Sequence, residues 1–474
     1  MTLRRTTQKR LPMNPTRFSV SLDGRPLPVH AARTSAVPYN REWPGRQRPL
    51  DQTETSAFVS FDLDRTAVLS IVVDGLPTDR RQGVDVVPPR VEIRPREFAI
   101  PFTVRGNRIE IALDRPRLFT VEVNGYREAL HVFANPPAAY DPVPNELRFG
   151  PGEHDAGRIF PKDGQTIVLE EGAVVYGAVF AYGAKNVRIV GRGILDASRM
   201  LRWDELKDRP DHPEREALRA AGIPESGLRG LSAINVTGCR DVLVEGIVVR
   251  DAPFWTANVE KTDGIVFRNV KIVGQWRYNS DGIDLSWDTL HSLVEDCFIR
   301  SFDDCVVFRD GAADGIVRNN VLWCDWGKCL EVWTNGSAPI RRIRFEDNHL
   351  IRRCSHIISL DAWLSHPSAL LEDISYDRTT IDLTGPQLVA NYQFADDEPY
   401  AADPVREDPP FGAFLSVSHP FDGGGTDVTY RNIHFRDVRV LGGAKPRILL
   451  ETSRIQHPAD ITFEACDFGD IVVR

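Results

Sequence analysis

The chain has 474 residues, with 58 Lys and Arg against 67 Asp and Glu, a formal charge of −9. Hydrophobic residues make up 42% and charged residues 26%, which excludes a disordered or collagen-like chain. The acidic balance argues against nucleic acid or an anionic membrane surface as partner, since both call for a basic footprint. No stretch reaches the ~18 apolar residues of a spanning helix. The opening MTLRRTTQKRLPMNPTRF is basic but lacks the apolar run, ~7–15 residues, of a secretory signal, so a cytoplasmic location is expected. The seven cysteines form no CxxC pair, which leaves reduced, buried thiols as the plainest reading.

Residues 1–17 read as a disordered tail. From Phe18 onward, short alternating runs such as FSVSL, AVLSIVV, RIEIAL and LFTVEV are separated by turn signals. Period-2 alternation at this spacing predicts a β-sandwich over 18–140. The segment 134–146 carries four prolines and reads as a linker.

Over 141–474 the pattern changes to one repeating unit. NVRIVGRGILDAS at 186, DVLVEGIVVRDA at 241, GIVFRNVKIVG at 264, HSLVEDCFIRSF at 291, GIVRNNVLWCDW at 315 and RIRFEDNHLIRR at 342 are variants of it. β-branched units ending in polar turns, repeated every ~20–30 residues, predict a solenoid, and a parallel β-helix fits them best. Each unit is one coil, so residues one period apart stack in columns. Residues 199–230 and 384–426 break the period and are expected to wall a groove, or else to be plain surface loops.

The stacking places acids together. Asp281 in NSDGIDL and Asp303 in SFDDCVVF are 22 residues apart, about one coil. Extending this register gives a face carrying Trp255, Asp281, Asp303 with Asp304, Trp326, Lys328 and His356. Aromatics beside paired acids and a cation suit a sugar-binding groove. Clustered carboxylates repel, so at least one is expected to keep its proton above the ordinary range. Glycoside hydrolysis needs such a protonated acid beside an ionised base. The plainer reading is structural, because Asp is common in turns that bond backbone N–H groups. Two acidic motifs one coil apart, with an aromatic coil beside them, favour the chemical reading.

The segments APFWT, NSDGID and DDC, followed one coil later by a Gly-containing turn, resemble the motif series of glycoside hydrolase family 28, the polygalacturonases. That family carries SPFWT-like, NTDGID, DDC and GHG segments in this order on a right-handed parallel β-helix. The related family 49, dextranase-like, shares the fold and the acids and carries an N-terminal β-sandwich. The resemblance covers about 150–470. It implies Asp303 as general acid, Asp281 and Asp304 as the pair activating water, inversion at the anomeric carbon, and no metal or other cofactor. Inversion calls for acid and base ~6.5–9.5 Å apart. Asn279 would orient nearby groups or sugar.

Two departures bear on the substrate. The family's GHG reads Gly327-Lys328-Cys329, so Lys328 stands where the His would be, either tuning the acids or forming a groove salt bridge. The RIK segment that grips galacturonate should fall near 356–361, where the chain has His356 and Asp361 and no cationic clamp. Asp cannot replace Arg for a carboxylate, which favours a neutral sugar. Arg309, where polygalacturonases often carry a basic residue, leaves one cation near the site. Trp326, Trp333 and Trp363 are candidates either for sugar stacking or for core packing. Glu331 is a candidate sugar ligand if it faces the groove.

The expected function is inverting hydrolysis of an oligo- or polysaccharide. The alternatives are a polygalacturonase, a polysaccharide lyase using Ca²⁺, and a non-catalytic carbohydrate-binding helix. The sandwich has three roles open to it: binding sugar, contacting a second copy in a homo-oligomer, or capping the first coil.

Overall fold

The computed structural model describes residues 16–35, 53–74, 78–79, 84–85, 90–126, 129–202, 206, 211–220, 231–277, 279–325, 327–352, 357–362, 365–384, 413–418, 427–442, 447–450, 455–456, 460–469 and 471–473. Residues 1–15 of the tail expected at 1–17, most of the insert at 384–426, and the predicted site residues Trp326, His356 and Trp363 lie outside them.

The N-terminal part is two five-stranded sheets packed face to face. Alternation decides which side of each strand is buried. In Ala67–Val73, residues Ala67, Leu69, Ile71 and Val73 face inward against Ile109, Ile111 and Leu113 of the antiparallel neighbour. The last sandwich strand runs Leu130–Asn135, so the Pro-rich connection starts at 136, just inside the segment read as linker.

From Glu146 onward the chain coils. Each central coil has three strands rather than the two expected. One parallel sheet stacks Arg240–Glu245, Asp263–Arg268, Leu290–Glu295, Ala313–Arg318, Ile340–Glu346 and Ser368–Asp377. A second face stacks Val248–Arg250, Lys271–Ile272, Phe298–Ser301, Val321–Cys324 and His349–Arg352. A third stacks Ala257–Glu260, Ile283–Ser286, Val306–Arg309, Leu330–Thr334 and Ile358–Ala362. The architecture is a parallel β-helix preceded by a β-sandwich.

Identical positions stack coil on coil. Phe345, Tyr376, Phe435 and Phe463 form an internal aromatic ladder with ring centroids 4.5, 4.6 and 5.1 Å apart. The polar turns are equally regular. Asn269, Asp296, Asn319 and Asp347 occupy one column with φ of 51–55°. Asn and Asp tolerate this left-handed conformation, which is why they recur there. Cys239, Cys297, Cys305, Cys324 and Cys329 are buried in the helix core, as small core residues would be.

The sandwich packs along the flank of the helix, on the second face. Phe58, Phe133 and Tyr126 meet Val248, Phe298, Val321, Trp323 and Ile351 in one apolar cluster. Polar groups cross the same seam. Arg352 donates to Glu122 at 2.8 and 2.5 Å, Arg94 donates to Glu122 at 3.1 Å, and Arg94 also pairs with Asp382. Lys271 donates to Asn135 at 2.9 Å.

Candidate active site

The acids stand where the second face turns into the third. Ile283 pairs with Val306, and Val306 with Leu330. Two residues earlier, the same register sets Asp281 beside Asp304 and Asp304 beside Lys328, with Trp255 one coil before Asp281. Gly282 N–H donates to the Asp304 carbonyl at 2.7 Å, and Cys305 N–H to the Lys328 carbonyl at 2.8 Å, in keeping with it. The expected column is therefore corrected: Asp281 aligns with Asp304, not Asp303. Asp303 occupies the turn position before it. There its carbonyl accepts from the Ser301 hydroxyl at 2.6 Å and the Cys324 thiol at 3.2 Å.

Alternation on the third face adds further groups. Ile283 and Leu285 point into the core, so Asp284 points out. Likewise Val306 and Phe308 face in while Arg309 faces out, and Leu330 and Val332 face in while Glu331 and Trp333 face out. Leu360 faces in beside outward Asp361. Asp284 was not anticipated. The alternation within GIDLS could have revealed it, since it sets Asp284 on the same wall as Arg309 and Glu331.

Two cations pair with five of the six carboxyl groups on this wall. Arg309 Nε donates to Asp284 at 2.9 Å and Nη2 to Asp281 at 3.3 Å. Its guanidinium lies 4.5 Å from the Trp255 ring centroid and 5.2 Å from that of Trp333. Lys328 Nζ lies 2.8 Å from Glu331 and 3.8 Å from both Asp304 and Asp361. Its backbone N–H donates to Asp304 Oδ1 at 2.6 Å. Asn279, at φ 51°, reaches Asp303 Oδ2 with its amide at 3.4 Å. Trp255 is half-buried, with Phe254 stacked at 5.0 Å and Trp287 at 6.2 Å.

Burial sets the electrostatics. Asp281, Asp284, Asp303, Asp304 and Glu331 are all 6% exposed or less. Burial raises Asp303 to about 6, opposed by Lys328. Burial also raises Asp284 to about 7, against the pull of Arg309. Asp281 is driven well above the usual range by burial and by its neighbours Asp284 and Asp303. Asp304 is driven up by burial and by the charge of Glu331. Glu331 goes the other way: burial opposes its ionisation, but Lys328 and the hydrogen bond with Asp304 hold it at about 2. Among the described residues, Asp281 Oδ1 and Asp284 Oδ2 are buried without a hydrogen-bond partner. The wall thus holds both ionised and protonated carboxyls, which is the pairing acid–base chemistry requires.

The insert braces the aromatic end of this wall. Arg202 donates to the Pro253 carbonyl at 2.9 Å and lies 5.8 Å from the Phe254 ring centroid. Pro213–Ala220 within the insert is helical.

A model of the glycosyl hydrolases family 28 matches residues 225–350, which include every site residue above except Arg202, Pro213–Ala220 and Asp361. The exopolygalacturonase of Cochliobolus carbonum is 24% identical over 41% of this chain and 42% of that protein. A probable exopolygalacturonase X of Aspergillus terreus is 23% identical over 43% of this chain and 47% of the relative. The chain therefore spans less than half the length of these curated relatives. Among solved structures, Dex49A from Penicillium minioluteum superposes with a TM-score of 0.54 at 15% identity, covering 92% of this chain and 91% of that one. The central coils thus resemble family 28, and the sandwich-plus-helix fold is shared with Dex49A.

Proposed function

We propose that the chain is an inverting glycoside hydrolase acting on an oligo- or polysaccharide built of neutral sugars. One observation carries this reading: six carboxyl groups share a buried wall with two cations, and both cations are already engaged in ion pairs. Asp303, raised to about 6 by burial, donates a proton to the leaving glycosidic oxygen. Asp281 and Asp304 flank the attacking water on the opposite face of the sugar. Among the described residues Asp281 Oδ1 has no hydrogen-bond partner, which leaves one oxygen of this carboxyl uncommitted for the reaction. A carboxylated sugar would meet six carboxyl groups whose two neighbouring cations are already paired among them. Arg309 offers it little, because its Nε and Nη2 already bond Asp284 and Asp281 and its faces lie against two indoles.

The second reading is hydrolysis of galacturonate chains, favoured by the exopolygalacturonases among the sequence relatives. A hydrolysis screen separates the two. Oligosaccharides of polygalacturonate, dextran, arabinan and galactan are offered to wild type and Asp303→Asn, with and without chelator. Cleavage of a neutral glycan that Asp303→Asn loses and chelator spares supports the proposal. Cleavage of polygalacturonate alone overturns the neutral-sugar assignment. A chelator-sensitive product absorbing in the ultraviolet would mean a lyase.

A further inference from the structure

We infer that Glu331 is a positioning residue acting through Asp304: it accepts a hydrogen bond from the Asp304 carboxyl and, tied to Lys328, keeps the shared proton on Asp304. The kinetic part of this rests on the hydrolase reading, but the position of the proton does not.

Two carboxyl groups within bonding reach need one proton between them, because two carboxylates can only accept. Asp304 and Glu331 flank the same Lys328 ammonium, at 3.8 and 2.8 Å, share a side-chain hydrogen bond, and are both buried. Which of them holds the proton depends on the nearest cation. Lys328 Nζ is 2.8 Å from Glu331 and 3.8 Å from Asp304, so its charge stabilises Glu331 as the anion first. Asp304 keeps a compensating contact of its own, the Lys328 backbone N–H at 2.6 Å on Oδ1. That bond fixes one oxygen and leaves the other to carry the proton toward Glu331.

Among the described residues, charge reaches Asp304 from several elements. Asp303 lies in its own turn, Asp281 in the coil before, and Arg309 on the strand that follows. Lys328 and Glu331 come from the next coil, and Asp361 from the one beyond. Four of these are acids and two are cations, and Arg309 makes its bonds to Asp281 and Asp284. Lys328 is therefore the cation that arbitrates between Asp304 and Glu331.

The consequence is a division of labour within the pair expected to activate water. Asp281, likewise raised by burial, has the Arg309 guanidinium at 3.3 Å to favour its anion once its proton is released. Asp304 begins as an acid and takes part as an anion only after its proton is released. Glu331 then governs the acid side of the pH profile without touching the reacting atoms.

The test is Glu331→Gln in the full chain. The amide removes the negative charge and can donate to an ionised Asp304. The Asp304 carboxyl is followed by ¹³C NMR in chain labelled at aspartate carboxyl carbons, its signal identified by loss in Asp304→Asn. The expected result is that Asp304 titrates above ordinary aspartate in wild type and falls by roughly 1–3 pH units in Glu331→Gln. The acid limb of kcat/KM moves down with it, with KM little changed. The inference is overturned if Asp304 titrates as an ordinary aspartate in wild type, or does not move in the variant. It is equally overturned if Glu331→Gln raises KM with the profile unmoved, the mark of a sugar ligand. Should that variant not fold, Lys328→Met keeps both carboxyls and removes the cation. The pair should then hold its proton to higher pH, and an unmoved titration overturns the inference. If Asp303→Asn stays active, the hydrolase reading fails while the carboxyl titration still decides the role of Glu331.

Discussion

Gly327→Ala tests how tightly the fold aims the two adjacent acids. Gly327 lies in the turn one coil beyond them. A Cβ there would sit 2.4 Å from Asp303 Oδ1, 2.5 Å from Asp304 Oδ1 and 2.8 Å from the Asp303 carbonyl carbon. Its φ lies outside the left-handed region, so the obstacle is space and not backbone strain. Ordinary contact begins at 3.4 Å, so both carboxylates must retreat by about 1 Å. One clash is with a main-chain atom, so side-chain rotation alone cannot relieve it. Overpacking of this kind costs ~1–3 kcal/mol of stability, which a chain of this size survives. Misplacing catalytic groups by ~1 Å costs about 10²-fold in rate. The assay is kcat/KM on the best substrate from the glycan screen, beside a thermal melt. The expected outcome is a folded protein with its melting temperature lowered slightly and activity down by about 10²-fold or more. Activity within about twofold of wild type would show that the acids tolerate a displacement that near-attack geometry forbids, and would overturn this expectation.

Three further outcomes follow from the same structure. With Asp303 raised to about 6, its protonated form is lost as pH rises through that value, so kcat/KM should fall about tenfold per pH unit above it; a rate that climbs steadily from pH ~6 to ~8 excludes Asp303 as the acid. Arg309→Lys should cut kcat by about tenfold or more with KM little changed, since an ammonium cannot bridge Asp281 and Asp284 as the fork does; a rise in KM for a uronate substrate would instead make Arg309 a carboxylate ligand. At the seam, Glu122→Gln leaves the buried Arg352 and Arg94 short of charge and should cost ~3–5 kcal/mol by urea unfolding. Arg352 and Arg94 hold Glu122 below its ordinary value of 4.5 despite its burial. Its stabilisation is therefore complete above that value in wild type and is withdrawn as pH falls through the lower folded value, a dependence the variant should lack.

Much of this molecule is legible in its sequence because stacked coils make local patterns repeat. Units at 241, 264, 291, 315 and 342 imply a solenoid, since a β-branched run ending in Asn or Asp has the same turn to make in every coil. Period-2 alternation likewise announces the sandwich strands. NSDGID and DDC, one coil apart, are enough to bring Asp281, Asp303 and Asp304 to one wall, because stacking converts sequence period into proximity.

Three things were decided only by the tertiary structure. The register of the acids depends on which turn residue enters the ladder, and a shift of one residue exchanges Asp303 for Asp304 beside Asp281. The roles of the charged groups depend on distances a sequence does not contain. Arg309, a candidate substrate cation by position, is held by Asp281 and Asp284 between two indoles. Asp284 belongs to the site because its strand neighbours point inward. The place of the sandwich was open among three roles, and it lies along the helix flank. Its contacts join residues more than two hundred positions apart, such as Glu122 with Arg352, and no local pattern encodes such a pairing. Local periodicity is written by backbone geometry and burial, whereas the choice of partners for buried charges is made when distant surfaces meet.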